Sequence, residues 1–166
     1  MDTSAIRALV FDAYGTLFDV NSVASLCEVV APGRGSELSL HWRAKQLEYS
    51  WLRSLMSSYA DFWHVTHDAL IFANRSLGLA LSQNQFDRLM NAYLCLSPFP
   101  EVPEALHSLT RIPKAILSNG TNAMLDAVVR NAKLQWAFAH ILSVDEIKAY
   151  KTSPRVYALA AQRLVV

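Results

Sequence analysis

Residues 10–19 read VFDAYGTLFD. An apolar run, Ala8 to Phe11, delivers Asp12 to its end. The run has no polar alternation, which suits a strand buried on both faces, as in a parallel sheet. Gly15 and Thr16 then permit a tight backbone turn beside the acid. An aspartate at the carboxyl end of such a strand stands where open α/β sheets bind their ligands. The residue two places on is Tyr14 and not a second acid, a difference that bears directly on the chemistry Asp12 can do.

Working outward, a second apolar run, Ala115-Ile116-Leu117, ends at Ser118-Asn119-Gly120, and a third and weaker one spans His140 to Ser143. Helical patterns follow both, over 121–131 and 153–164; Ser153 is placed as an N-cap and Pro154 as the first helical residue. Strand, loop and helix repeated in this way specify an open α/β sheet. Between the first two strands, from about Asn21 to Leu96, helical periodicity dominates over 36–57, 61–77 and 82–96. The expected organisation is an α/β core of residues 1–20 and 98–166 with a helical cap inserted at 21–97. An insertion after the first strand sits over the carboxyl ends of the strands, so a lid is expected.

The chain has 166 residues, is 52% hydrophobic and carries a formal charge of +1. That length suits one domain with an insertion. There is no basic excess to attract nucleic acid. No run of about 18 apolar residues exists to span a membrane. The opening MDTSAIRALVFDAYG has charges where a signal peptide needs its apolar segment, so a soluble cytoplasmic protein is expected. Cys27 and Cys95 lack metal-type spacing and are expected to be reduced core residues. His64 and His67 lack a third ligand, so no metal is expected. Trp42, Trp51, Phe62 and Trp63 suggest helix packing, and His41 a solvated position.

The ordered set of strand with D-x-x-x-T-L, strand with S-N, and then Lys151 resembles the haloacid dehalogenase superfamily. FDAYGTLFDVNSV at 11–23, PGRG at 32–35, WRAKQLEYSWLRSLM at 42–56, YADFW at 59–63, AILSNG at 115–120 and YK at 150–151 narrow the resemblance to the (S)-2-haloacid dehalogenases. It covers residues 6 to about 163. The resemblance implies an α/β fold, a haloacid dehalogenase-like Rossmannoid parallel sheet core with an inserted helical cap. It also implies hydrolysis of short-chain (S)-2-haloalkanoic acids to (R)-2-hydroxyalkanoic acids through an aspartyl ester. Neither a cofactor nor a metal is implied. The partners implied are the small-molecule substrate and halide, with no nucleic acid or membrane, and a second copy in a homodimer.

Phosphatases of this superfamily carry D-x-D at the first motif. There the second acid protonates a poor leaving group and magnesium screens the phosphate. Tyr14 removes that acid. A halide leaves as a stable weak base and needs no proton, so D-x-Y fits carbon–halogen displacement. The resemblance makes Asp12 the nucleophile, with Lys151 pairing with it and holding it ionised and Thr16 orienting it. Ser118 and the backbone amides near Ala13 and Tyr14 would take the substrate carboxylate, and Asn119 the halide. Arg43 shares a helix face with Gln46 and Leu47; looking down on the site, it would stabilise the departing halide. Tyr14, Leu47 and Phe62 would form an apolar wall that excludes competing water. Tyr157 would support the Asp12–Lys151 region. The chain departs from the family pattern at Ala44, where the family usually has Gln, and at Thr152, where it usually has Pro.

The last residues are Leu164-Val165-Val166, one helix after the third strand. The resemblance implies further strands and a fourth motif, S-S-N-x-x-D, whose acid helps activate the hydrolytic water. Its absence from these 166 residues leads to the expectation of C-terminal strands missing from the core, an open apolar sheet edge, and a chain that alone is poorly active and aggregation-prone. The alternatives are a superfamily phosphatase, which needs an acid to replace Tyr14, and a truncated non-catalytic member.

Overall fold

The computed structural model describes residues 6–164; the remaining ends of the expected core, 1–5 and 165–166, lie outside the described residues. Three parallel strands form the sheet: β1 (Leu9–Phe11), β2 (Lys114–Ser118) and β3 (His140–Ser143), in the order β1-β2-β3. Val10 pairs with Ala115, and Ile116 with Ile141. All five residues of β2 are buried, as a continuous apolar run at the sheet centre requires. β1 is not buried on both faces; it forms the open apolar edge that a sheet of three strands implies, with Val10 44% exposed, because among the described residues it pairs with β2 alone.

Between β1 and β2 the chain builds α1 (Ala24–Val30), α2 (Gly35–Leu55), α3 (Phe62–Ser76), α4 (Gln83–Ala92) and α5 (Val102–Ser108). α6 (Asn122–Asn131) and α7 (Pro154–Leu164) follow β2 and β3. Each start has a local cause. Asp61 caps α3 by accepting from His64 N, and Thr121 caps α6 by accepting from Met124 N. Ser82 and Gln85 form a reciprocal capping box on α4. The helix expected over 82–96 ends at Ala92, where the N–H groups of Tyr93, Leu94 and Cys95 tighten into turn bonds three residues back. At α2 the first residue must be glycine: a Cβ on Gly35 would lie 2.3 Å from the Glu28 backbone.

α2 and α3 pack on each other through Leu38, Trp42, Val65, Ala69, Leu70 and Ala73, all fully buried. Trp42 Nε1 donates to the Thr66 carbonyl at 2.8 Å. Trp51, expected in helix packing, stands 51% exposed on α2. Cys95 is likewise exposed, not a core residue, because it falls in the turn after α4; Cys27 is buried, and both are free thiols. Burial pushes the Cys27 thiol up to about 11.

Hydrogen bonds tie the helical segment to the core, among them two sets near the strand ends. The chain leaving the β1 loop and the chain returning to it run side by side, Asp19 N donating to Ser97 O at 2.8 Å and Phe99 N to Leu17 O at 3.1 Å. In the second set Tyr150 N–H donates to Ser54 Oγ at 2.9 Å and Tyr150 O–H to Ala60 O at 2.6 Å, while the Tyr59 hydroxyl donates to Asp145 just after β3.

Candidate active site

Asp12 follows β1 directly. The Ala13 carbonyl accepts from three successive N–H groups, Thr16 at 3.3 Å and Leu17 and Phe18 at 2.9 Å. Closing so tight a loop needs a positive φ at one residue, and Gly15 supplies it at 91°. The Asp12 side chain remains 41% exposed, and Lys151 Nζ donates to its Oδ1 at 3.0 Å. Lys151 is positioned in turn: its own N–H donates to Asn119 Oδ1 at 2.9 Å, next to the fully buried Tyr150. Asn119 thus spends its oxygen on the Lys151 loop, and its NH₂ has no partner among the described residues.

Ser118 ends β2, fully buried. Its Oγ accepts from Gly120 N at 3.2 Å, which leaves the hydroxyl proton to donate. A residue the sequence reading missed stands beside it: Ser143 pairs with Ser118 in the ladder, donates to Gly120 O at 2.7 Å and accepts from Asp145 N at 3.1 Å. The available signal was a serine ending each of two apolar runs.

Gly120 lets the two loops touch. A Cβ there would lie 2.7 Å from Tyr14 Cε2. Tyr14 is 5% exposed, and its hydroxyl has no hydrogen-bond partner among the described residues. Burial first, then Tyr93 and Asp12, push its pKa up against the opposing pull of Arg43, so it stays a neutral phenol. Its ring lies 5.7 Å from that of Phe62 and 6.3 Å from that of Tyr93, the latter pushed up to about 12, chiefly by burial. Leu47 is half-buried on α2.

Arg43 reaches the same loop from α2, Nη2 lying 3.4 Å from the Tyr14 carbonyl. Gln46, expected on the rim beside it, is fully buried and accepts from Arg43 Nη1 at 2.6 Å. Two expected residues are not brought in. Thr16 is exposed and contributes only its backbone, since the amides converging on Ala13 swing position 16 to the surface. Tyr157 is 52% exposed on α7 and takes part in none of the hydrogen bonds around Asp12. His64 and His67 both lie on α3, and among the described residues no three His, Cys, Asp or Glu side chains are grouped to hold a metal.

A cavity of about 320 Å³ adjoins Lys151, lined also by Trp51, Ser54, Leu55 and Tyr150. A groove of about 860 Å³ between α2 and α3 includes none of the expected site residues. Around Asp12 stand an ammonium on its open carboxylate, a guanidinium on the Tyr14 carbonyl of the same loop, and a hydroxyl and an amide at the end of β2, the amide tied to the Lys151 loop, with a neutral phenol two residues after the acid. This set can displace a leaving group that departs without a proton.

A family model of haloacid dehalogenase-like hydrolases matches residues 6–166. An (S)-2-haloacid dehalogenase of Pseudomonas sp. (strain YL) is 52% identical over 161 residues, which are 96% of this chain and 69% of that protein. The solved L-2-haloacid dehalogenase of Xanthobacter autotrophicus superposes with a TM-score of 0.93 at 48% identity, matching 97% of this chain and 66% of the other. The same enzyme with chloropropionic acid covalently bound superposes equally, at 0.93 and 47% identity. This chain therefore spans about two thirds of that structure's length.

Proposed function

We infer, from a chain that belongs to the haloacid dehalogenase-like hydrolases and within them to the (S)-2-haloacid dehalogenases, that it hydrolyses short-chain (S)-2-haloalkanoic acids to (R)-2-hydroxyalkanoic acids. The observation that carries this is the exposed Asp12 carboxylate held by Lys151 at 3.0 Å, with Tyr14 in place of an acid.

A carboxylate oxygen of Asp12 attacks C2 from behind the halogen. The C–O bond forms as the carbon–halogen bond breaks, and halide leaves with the bonding pair. Water then adds to the Asp12 carbonyl carbon, the acyl C–O bond breaks, and the hydroxy acid departs with inverted configuration, releasing one proton. Lys151 orients the attacking oxygen, and the Ser118 hydroxyl donates to the substrate carboxylate. The Arg43 guanidinium and the Asn119 NH₂ take the growing halide charge. Tyr14 and Phe62, with Leu47, wall the alkyl group from competing water. Thr16 contributes through the turn that presents Asp12, and Tyr157 through α7, the helix following Lys151.

The test is halide release from L-2-chloropropionate with and without EDTA, for the protein and Asp12→Asn. Metal-independent release that Asp12→Asn abolishes is expected; magnesium-dependent phosphate release from phosphate esters would replace the dehalogenase with a phosphatase. In one turnover in labelled water, the product of unlabelled protein should carry the Asp12 oxygen and no label.

The functional unit we propose is a homodimer. Its support is the groove lined by Tyr49, Leu52, Met56, Ile71 and Phe72, in which Met56 is 64% exposed, next in sequence to Leu55, 82% exposed. Leu52→Glu should convert a dimer to a monomer by light scattering. The proposed setting is the cytoplasm, which two free thiols suit. No helix among the described residues is long and apolar enough to cross a membrane.

A further inference from the structure

The guanidinium of Arg43 can serve the reaction only if it points at the Asp12 loop, and two neutral side chains decide where it points. Gln46 on α2 and Thr66 on α3 are both fully buried. Thr66 Oγ1 donates its single proton to the Phe62 carbonyl, one helical turn back, at 2.6 Å. With that proton committed, Oγ1 can only accept, and it accepts from Gln46 Nε2 at 2.6 Å. The Gln46 amide is thereby turned so that its oxygen faces Arg43, where it takes Nη1 at 2.6 Å. The flipped amide would set its NH₂ against the guanidinium and its oxygen against a hydroxyl with no proton to give. The far end is anchored as well, since Trp42 Nε1 holds the Thr66 carbonyl at 2.8 Å.

We propose that Gln46 and Thr66 are positioning residues of the dehalogenation, a hydrogen-bond relay of fixed polarity through which α3 aims the Arg43 guanidinium at the departing halide. The relay rests on the dehalogenase reading for its purpose. Neither member is charged, so the relay supplies direction and not potential. Chloride leaves less readily than bromide and depends more on a cation already in place. Loss of the relay therefore penalises chlorinated substrate more than brominated substrate, an asymmetry that a merely structural role would not produce.

Thr66→Val keeps the shape of the side chain and removes the hydroxyl; Thr66→Ser keeps the hydroxyl. Gln46→Glu keeps shape at the other member and converts the acceptor into a carboxylate that draws the guanidinium to itself. Each is compared with the parent by thermal melting, by kcat and KM on 2-chloro- and 2-bromopropionate, and by ⁸¹Br line broadening with bromide ion alone. For Thr66→Val and Gln46→Glu, kcat on the chloro acid is expected to fall about tenfold further than on the bromo acid, with KM nearly unchanged. Bromide binding should weaken in parallel, and Thr66→Ser should restore both. Equal losses on the two substrates, or a folded Thr66→Val with the parent's halide ratio and bromide binding, would overturn the relay. A parent that binds bromide through Thr66 yet releases no halide from either acid would instead overturn the dehalogenase reading and leave the relay standing.

Discussion

Tyr14 carries a buried hydroxyl with no partner among the described residues, so Tyr14→Phe removes a desolvated polar group and none of the hydrogen bonds seen there. Its melting temperature should equal or exceed the parent's, with kcat on 2-chloropropionate retained; a lower value would show that the hydroxyl has a partner in solution. Gly120 is the opposite case. A methyl there meets the Tyr14 ring at 2.7 Å and Leu125 Cδ2 at 3.3 Å, a crowding that typically costs about 1–3 kcal/mol. Gly120→Ala should lower both the denaturant midpoint and kcat, since the displaced ring belongs to the substrate wall. Asp12, Ser118, Asn119, Arg43 and Lys151 were legible in the sequence because each sits in a short run of distinctive neighbours. Gln46 was legible as a neighbour of Arg43 but not as a buried one, and Thr66 and Ser143 were not legible, because the contacts that bring them in, to Gln46 and to Gly120, span 20 and 23 residues. No local pattern reports such a pairing.

Helix positions were readable because amphipathic spacing is local, and their ends were readable where a capping side chain marks them. Ser82→Ala should cost about 1 kcal/mol in urea unfolding through loss of the α4 cap, with kcat unchanged, since α4 supplies nothing to the Asp12 loop. The early end of α4 was hidden because residues 93–95 keep helical spacing while their backbone turns. The exposure of β1 was legible from the strand count, because a sheet of so few strands leaves an apolar run along one rim. The ties between the helical segment and the sheet belong to this scale too. Tyr59→Phe severs the bond to Asp145 and leaves the ring against Tyr150, 5.2 Å away. It should raise KM more than it lowers kcat, because it loosens how the helices sit over the strand ends without touching a reacting group.

For the whole molecule, several groups that ionise in alkali are held neutral inside the fold. Cys27 is moved from 9.0 to about 11 and Tyr93 from 10.0 to about 12, both mainly by burial. Burial raises Tyr14, Tyr59 and Tyr150 in the same direction. A raised folded-state pKa contributes stability that is fully present below the unfolded value and is lost as pH rises through the folded one. The melting temperature should therefore fall steadily above about pH 9, first through Cys27 and then through the phenols. Tyr93→Phe should flatten the upper part of that decline in calorimetry from pH 8 to 11. An unchanged slope would place the alkaline loss elsewhere.

Asn119 is followed by Gly120, and that dipeptide is chemically perishable. With no side chain to shield it, a glycine nitrogen readily closes on the preceding carboxamide, expels ammonia and leaves aspartate or isoaspartate. Here the fold occupies both reactants: the Gly120 nitrogen donates to Ser118 Oγ at 3.2 Å, and the Asn119 oxygen is held by Lys151 N at 2.9 Å. Folding thus acts as a preservative for a side chain placed to greet an anion. Heat that opens the loop should age the protein irreversibly, writing a negative charge where a halide must rest, so that material cooled after long incubation recovers its shape before its activity.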